Sequence, residues 1–186
     1  MLGRLKNYLF GTLPNDATKY YNGVGAFSVP TPGSDWTATV TKGSDESVGD
    51  STTLQNDDEL LFTPSAGKAY LLELVIKYTG SRASANDFVW DFSCSAGTMT
   101  GVFNSFARVS GGIGDNNILA NGITNTTDIT CEVNGAGVLQ TLRIIGTVVF
   151  SNSCTFNFRF AQLTAGVGTS VTCESGSILR YKDLGT

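Results

Sequence analysis

From residue 35 onward, apolar and polar positions alternate with a period of two. Trp36, Ala38 and Val40 alternate with Thr37, Thr39 and Thr41, which predicts a first strand. The polar stretch 42–59 then reads as a loop, with Val48 and Leu54 as its apolar points. Leu60 to Phe62 begin another strand, stopped by Pro64 and the turn Ser65-Ala66-Gly67. Tyr70, Leu72, Leu74, Ile76 and Tyr78 hold one face of a long strand. Leu71 and Val75 sit on its other face, so both faces are expected to be at least partly buried. Phe88, Trp90, Phe92 and Cys94 alternate with Val89, Asp91 and Ser93 as the clearest period-two strand. A weaker strand covers 102–109, and a Gly/Asn-rich loop with a short strand inside it covers 110–128. Ile129, Cys131 and Val133 form a short strand ended by Asn134-Gly135. Further strands are expected at 139–150, at Cys154, Phe156, Phe158 and Phe160, at Val171 and Cys173, and at 178–184. No helical period follows residue 10, and the even spacing of short strands predicts an all-β antiparallel sandwich or jelly roll. The aromatic ladders are rich for one sandwich core. Trp90, Phe92, Phe156, Phe158, Phe160 and Tyr181 are therefore expected to fill the core or an interface between subunits.

Two different patterns precede the β region. Leu2, Leu5 and Leu9 recur at i, i+3 and i+7, which predicts a short amphipathic helix over 2–10, with Gly11 closing its end. A helix this short does not hold in water alone, so it needs a surface. It either docks on its own domain or anchors in a partner protein through Leu2, Leu5, Leu9 and Phe10. In residues 14–33, turn formers alternate with single large side chains: Tyr20 or Tyr21, Val24, Phe27 and Val29. These are too few for a core of their own. Winding around copies of itself would order such a stretch, which points to an oligomer, although a flexible linker has a similar composition. The organisation read from the chain is an anchor over 1–13, an extended collar over 14–34 and a globular domain over 35–186.

Composition narrows the chemistry. The 186 residues are 41% hydrophobic and only 15% charged, with a net charge of −4, so no global positive field attracts nucleic acid. The chain has no His, which excludes a Ser-His-Asp triad, a Cys-His dyad, His-ligated metal and a His-based pH switch. No run reaches the ~20 apolar residues of a membrane-spanning helix. The N-terminus lacks the apolar core of a signal peptide, so synthesis and retention in a cytoplasm are expected. Cys94, Cys131, Cys154 and Cys173 form no C-x-x-C pair, and in that compartment four free, mostly buried thiols are the default. The acidic clusters Asp45-Glu46 and Asp57-Asp58-Glu59 supply oxygens of the kind that bind Ca2+, but their spacing matches no EF-hand loop. In β turns such residues usually cap and solubilise. Gly111-Gly112-Ile113-Gly114 opens no helix and is not a phosphate loop, and the sequon Asn125-Thr126-Thr127 has meaning only on a secretory route. Arg159, Arg180 and Lys182 read as a small basic patch or, more plainly, as a solvated sheet face, and Asp91 with Arg159 as a pair across an interface.

Three segments carry a family resemblance. Residues 17–30, Ala17-Thr18-Lys19-Tyr20-Tyr21-Asn22-Gly23-Val24-Gly25-Ala26-Phe27-Ser28-Val29-Pro30, resemble the collar-like segment of tailed-bacteriophage fibre proteins, D-A-x-K-Y-L-x-G-x-G-x-F-x-x-P. Tyr21 stands where that family usually has Leu. Residues 45–48 and 51–60 resemble the opening of the head domain that follows, and Gly176 to Leu184 resemble its closing strand. The resemblance implies a homotrimer with a TNF/C1q-like jelly-roll head, preceded by a short helix and a trimerising collar. It implies a virion surface protein, assembled in a host cytoplasm and docked on the particle by its N-terminus, with no enzymatic activity and no cofactor. Its partners would be itself and capsid or tail proteins, with host surface glycans as a further candidate for the exposed loops and no nucleic acid or membrane. At 186 residues, a capsid head fibre or decoration knob fits better than a long tail fibre. A short tail fibre acting as a receptor-binding protein, a monomeric carbohydrate-binding module and a small glycosidase are the other readings.

Overall fold

The computed structural model describes residues 35–81, 87–107 and 128–186 in full, and the strands at 20–21, 27–28 and 117–121 by their backbone. The helix expected over 2–10, with Leu2, Leu5, Leu9 and Phe10, and the collar residues Val24 and Val29 lie outside the described residues. The chain divides into two compact units, Met1–Asp35 and Trp36–Thr186. In the first, β1 (Tyr20–Tyr21) and β2 (Phe27–Ser28) pair antiparallel, with Tyr20 opposite Ser28 and Tyr21 opposite Phe27.

The second unit is all-β. It holds β3 (Ala38–Thr41), β4 (Glu46–Gly49), β5 (Gln55–Phe62), β6 (Ala69–Gly80), β7 (Phe88–Cys94) and β8 (Met99–Ala107). These are followed by β9 (Asn117–Asn121), β10 (Ile129–Cys131), β11 (Gln140–Phe150), β12 (Phe156–Gln162), β13 (Ser170–Cys173) and β14 (Ile178–Gly185). Among the described residues there is no helix, and every strand pairing is antiparallel apart from one isolated parallel bridge between Gly80 and Ala136.

A four-stranded sheet runs β10-β7-β12-β5. An eight-stranded sheet runs β3-β14-β6-β11-β8-β9, with β13 pairing β6 and β4. The pairing is nested. β3 and β4 lie beside β14 and β13, β5 beside β12, β6 beside β11, and β7 beside β10. Early strands thus pair with late ones, as in a long antiparallel ribbon folded at its middle and rolled up. β8 and β9 extend the large sheet past β11.

The two sheets pack face to face through aromatic rings. Phe62 meets Phe150 edge-on at 6.0 Å and stacks on Tyr181 at 4.2 Å. Tyr78 meets Phe88 at 4.7 Å, and Phe92 meets Phe103 at 5.0 Å. Tyr70, Leu72, Leu74, Ile76 and Tyr78 are all buried on one face of β6, as their spacing predicts. Trp90, Phe92, Phe156, Phe158 and Phe160 are buried in this core. Tyr181 is half-buried against the same core. Phe103 fits because Gly101 and Gly146 leave room for it. A Cβ on Gly146 would stand 2.2 Å from the Val102 carbonyl oxygen and 2.6 Å from the Phe103 ring.

Three expectations change. The stretch 42–59 is not one loop: β4 and most of β5 lie within it, with Val48 buried on β13 and Asp57 buried in β5. Its polar side chains find partners inside the fold, which periodicity does not reveal. The cysteines are not all free. Cys94 and Cys154 form a disulfide across the paired ends of β7 and β12, while Cys131 and Cys173 remain free and buried. Asp91 and Arg159 pair within one chain, being direct cross-strand partners on β7 and β12, where Nε donates to Oδ1 at 2.8 Å. Burial pushes the Asp91 carboxyl up, and Arg159 opposes that rise.

Candidate functional site

Two places in the sandwich carry organised chemistry. The first lies where the edge strands of the two sheets meet. β13 and β14 run along β6 as one broken strand, and the residues between them, 174–177, leave the ladder. β3 and β4 are broken alongside at 42–45. The two breaks hold each other: Lys42 N–H donates to the Ser177 carbonyl and Gly176 N–H to the Lys42 carbonyl, each at 2.8 Å. The Ser175 N–H donates to Asp45 Oδ1 at 2.7 Å, which lowers the Asp45 carboxyl.

β5 contributes a wide bulge. Asn56 pairs with Arg159 and Leu61 with Asn157, so residues 57–60 stand opposite Phe158 alone. The extra backbone turns Asp57 inward. Its Oδ1 accepts from the N–H groups of Glu59 at 3.0 Å and Leu60 at 2.7 Å. Its Oδ2 lies 2.9 Å from Lys42 Nζ. Glu46 Oε2 lies 3.0 Å from the same nitrogen and Glu59 Oε1 3.8 Å. The Lys42 and Asp57 side chains are 1% and 0% exposed. Burial alone would lower the Lys42 pKa, but the hydrogen bonds and charges of Asp57 and Glu46 outweigh it and raise it to about 12. Glu59 is held low by the Gly43 N–H and then by Ser44, whose hydroxyl donates at 2.8 Å.

This geometry redistributes the acidic clusters. Asp57 is committed to Lys42, Asp45 to the Ser175 backbone, and Asp58 points to solvent. Among the described residues, no group of three or more His, Cys, Asp or Glu is placed to hold a metal ion. Sequence reading singled out the acids but not Lys42. Its signal was a lone Lys directly after a strand, which also suits any exposed strand end.

The second place is the outer face of the eight-stranded sheet. Glu73 is buried there between two cations: Arg143 Nε donates at 2.8 Å and Arg180 Nε at 2.7 Å. The Arg180 guanidinium also lies over the Trp36 ring, 4.5 Å from its centroid. Arg159 sits in the other sheet on Asp91, so Arg159, Arg180 and Lys182 form no common basic patch. Beside this chain of charges the face turns apolar. Val102 is 61% exposed and Val149 45%. A shallow cavity of about 250 Å³ lies here, lined by Ala69, Thr100, Gly101, Val102, Thr147, Val148 and Val149.

No family model matches the chain, and no curated protein matches its sequence. Among solved structures, a chain of infectious bursal disease virus, Gx strain, is similar at 11% identity with a TM-score of 0.21, covering 80% of this chain and 36% of that one. A chain of the Gt strain is similar at 11% identity with a TM-score of 0.19, covering 78% of this chain and 40% of that one. The chain thus spans well under half the length of these viral neighbours.

Proposed function

We propose that this chain is a virion surface structural protein of a tailed bacteriophage, a homotrimeric fibre or knob with a jelly-roll head. The N-terminal segment docks it on the particle, with a capsid head fibre or decoration protein favoured over a short tail fibre. The observation that supports the reading is the nested strand order, in which early strands pair with late ones across a four-stranded and an eight-stranded sheet. Such nesting is compatible with the two Greek keys of a jelly roll, the head architecture that the resemblance in residues 17–30, 45–60 and 176–184 implies.

The apolar patch around Val102 and Val149 supports self-association through the large sheet. A second copy of this chain is the occupant, and closed symmetry then sets the number of copies. Three N-terminal anchors on one trimer combine weak contacts into strong attachment. Arg180 covers one face of Trp36, which disfavours stacking of a sugar there.

Light scattering after gel filtration tests the trimer on the full chain and on residues 14–186. Three chain masses are expected for both, and a monomer for both overturns the reading. Removal of residues 1–13 is expected to leave a soluble trimer that no longer joins particles.

A further inference from the structure

We propose that Lys42 and Asp57 condense into an amide, so that the folded chain forms a covalent bridge between the edge strands of its two sheets. The nucleophile lies beside the carboxyl group it would attack, with Lys42 Nζ 2.9 Å from Asp57 Oδ2. Both side chains are almost completely shielded from water, which holds them in one geometry and excludes competing hydrolysis. The other carboxylate oxygen, Oδ1, accepts two backbone N–H groups, from Glu59 at 3.0 Å and Leu60 at 2.7 Å. That is the placement of donors that stabilises charge developing on a tetrahedral intermediate. Glu46 Oε2, 3.0 Å from Nζ, supplies the acid–base group.

The step balances without any co-reactant. The ammonium of Lys42 passes one proton to Asp57 Oδ2, leaving a neutral amine beside a neutral carboxylic acid. The amine lone pair attacks Cγ, a C–N bond forms, and the carbonyl electron pair moves onto Oδ1 between the two N–H donors. Glu46 takes a proton from the new ammonium nitrogen and returns it to the Oδ2 hydroxyl. The Cγ–Oδ2 bond breaks and one water leaves. Glu46 ends as it began, and two buried charges become one neutral amide. The carboxylates that surround Lys42 also favour its charged form, so the step follows folding slowly. Buried ion pairs seldom add net stability, and conversion to an amide removes their desolvation cost.

The test is the intact mass of the full chain, folded and incubated for days at neutral pH, then reduced and denatured. The expected mass is lower than that of the sequence by one water. Trypsin should leave residues 20–68 as one peptide, uncut at Lys42, with no backbone fragments released between Lys42 and Asp57. Glu46→Gln keeps an acceptor beside Nζ but no base, and should slow the loss of water roughly a hundredfold. The full sequence mass in folded wild-type protein overturns the proposal. So does a water deficit that persists in Lys42→Arg, because that deficit would lie elsewhere in the chain.

Discussion

The disulfide gives the sharpest quantitative prediction. Cys94 and Cys154 are separated by 60 positions, and the bridge closes that loop in the unfolded chain as well as the folded one. In the chain-entropy treatment, cross-linking a loop of this length raises the free energy of the unfolded state by about 4 kcal/mol. Replacing both residues, Cys94→Ala with Cys154→Ala, removes that constraint. A domain of this size loses about 2–4 °C of Tm per kcal/mol, so the midpoint should fall by about 8–16 °C. Scanning calorimetry reads the shift. Urea titration should also show a steeper slope for the variant, because its unfolded chain expands further. Before either experiment, thiol titration of denatured, unreduced protein should find two reactive groups, Cys131 and Cys173, and four after reduction. Four thiols without reduction would refute the bridge. A Tm change under about 2 °C would refute the entropic account.

Other outcomes follow from the same geometry. Gly146→Val forces a Cβ to within 2.2 Å of the Val102 carbonyl oxygen, and overpacking of this kind should cost about 1–3 kcal/mol or more, read as a lower urea midpoint. Glu73→Ala leaves Arg143 and Arg180 without the buried carboxylate they share, for an expected loss of about 1–3 kcal/mol, checked by a double-mutant cycle with Arg143→Ala. Burial pushes the Cys131 thiol from 9.0 to about 12, with the Trp90 indole N–H opposing the rise. Its contribution to stability is therefore complete below pH 9.0 and is lost as pH climbs towards about 12, and in the native state it should resist alkylation at pH 8. Val102→Asp places a charge on the exposed apolar patch, and light scattering should show a smaller assembly with the Tm of the isolated subunit little changed.

What the sequence determined by itself is the set of apolar strands. Period-two alternation is a local consequence of the pleat, so β6, β7, β11 and β12 are legible from Tyr70, Phe88, Leu142, Phe156 and their neighbours. The absence of His likewise closes whole classes of chemistry before any fold is known. The tertiary structure alone decided what depends on partners distant in the chain. β4 and β5 read as polar loop because their charges are satisfied by groups that meet only after folding: Asp57 by Lys42, and Glu46 by Lys42 and the Asp58 N–H. The Cys94–Cys154 pairing follows from the register of β7 against β12, not from any spacing of cysteines. The same register joins Asp91 to Arg159 within one chain. Pattern fixes which face of a strand is apolar, whereas strand order fixes which charges are neighbours, and the buried Lys42 site exists only through that order.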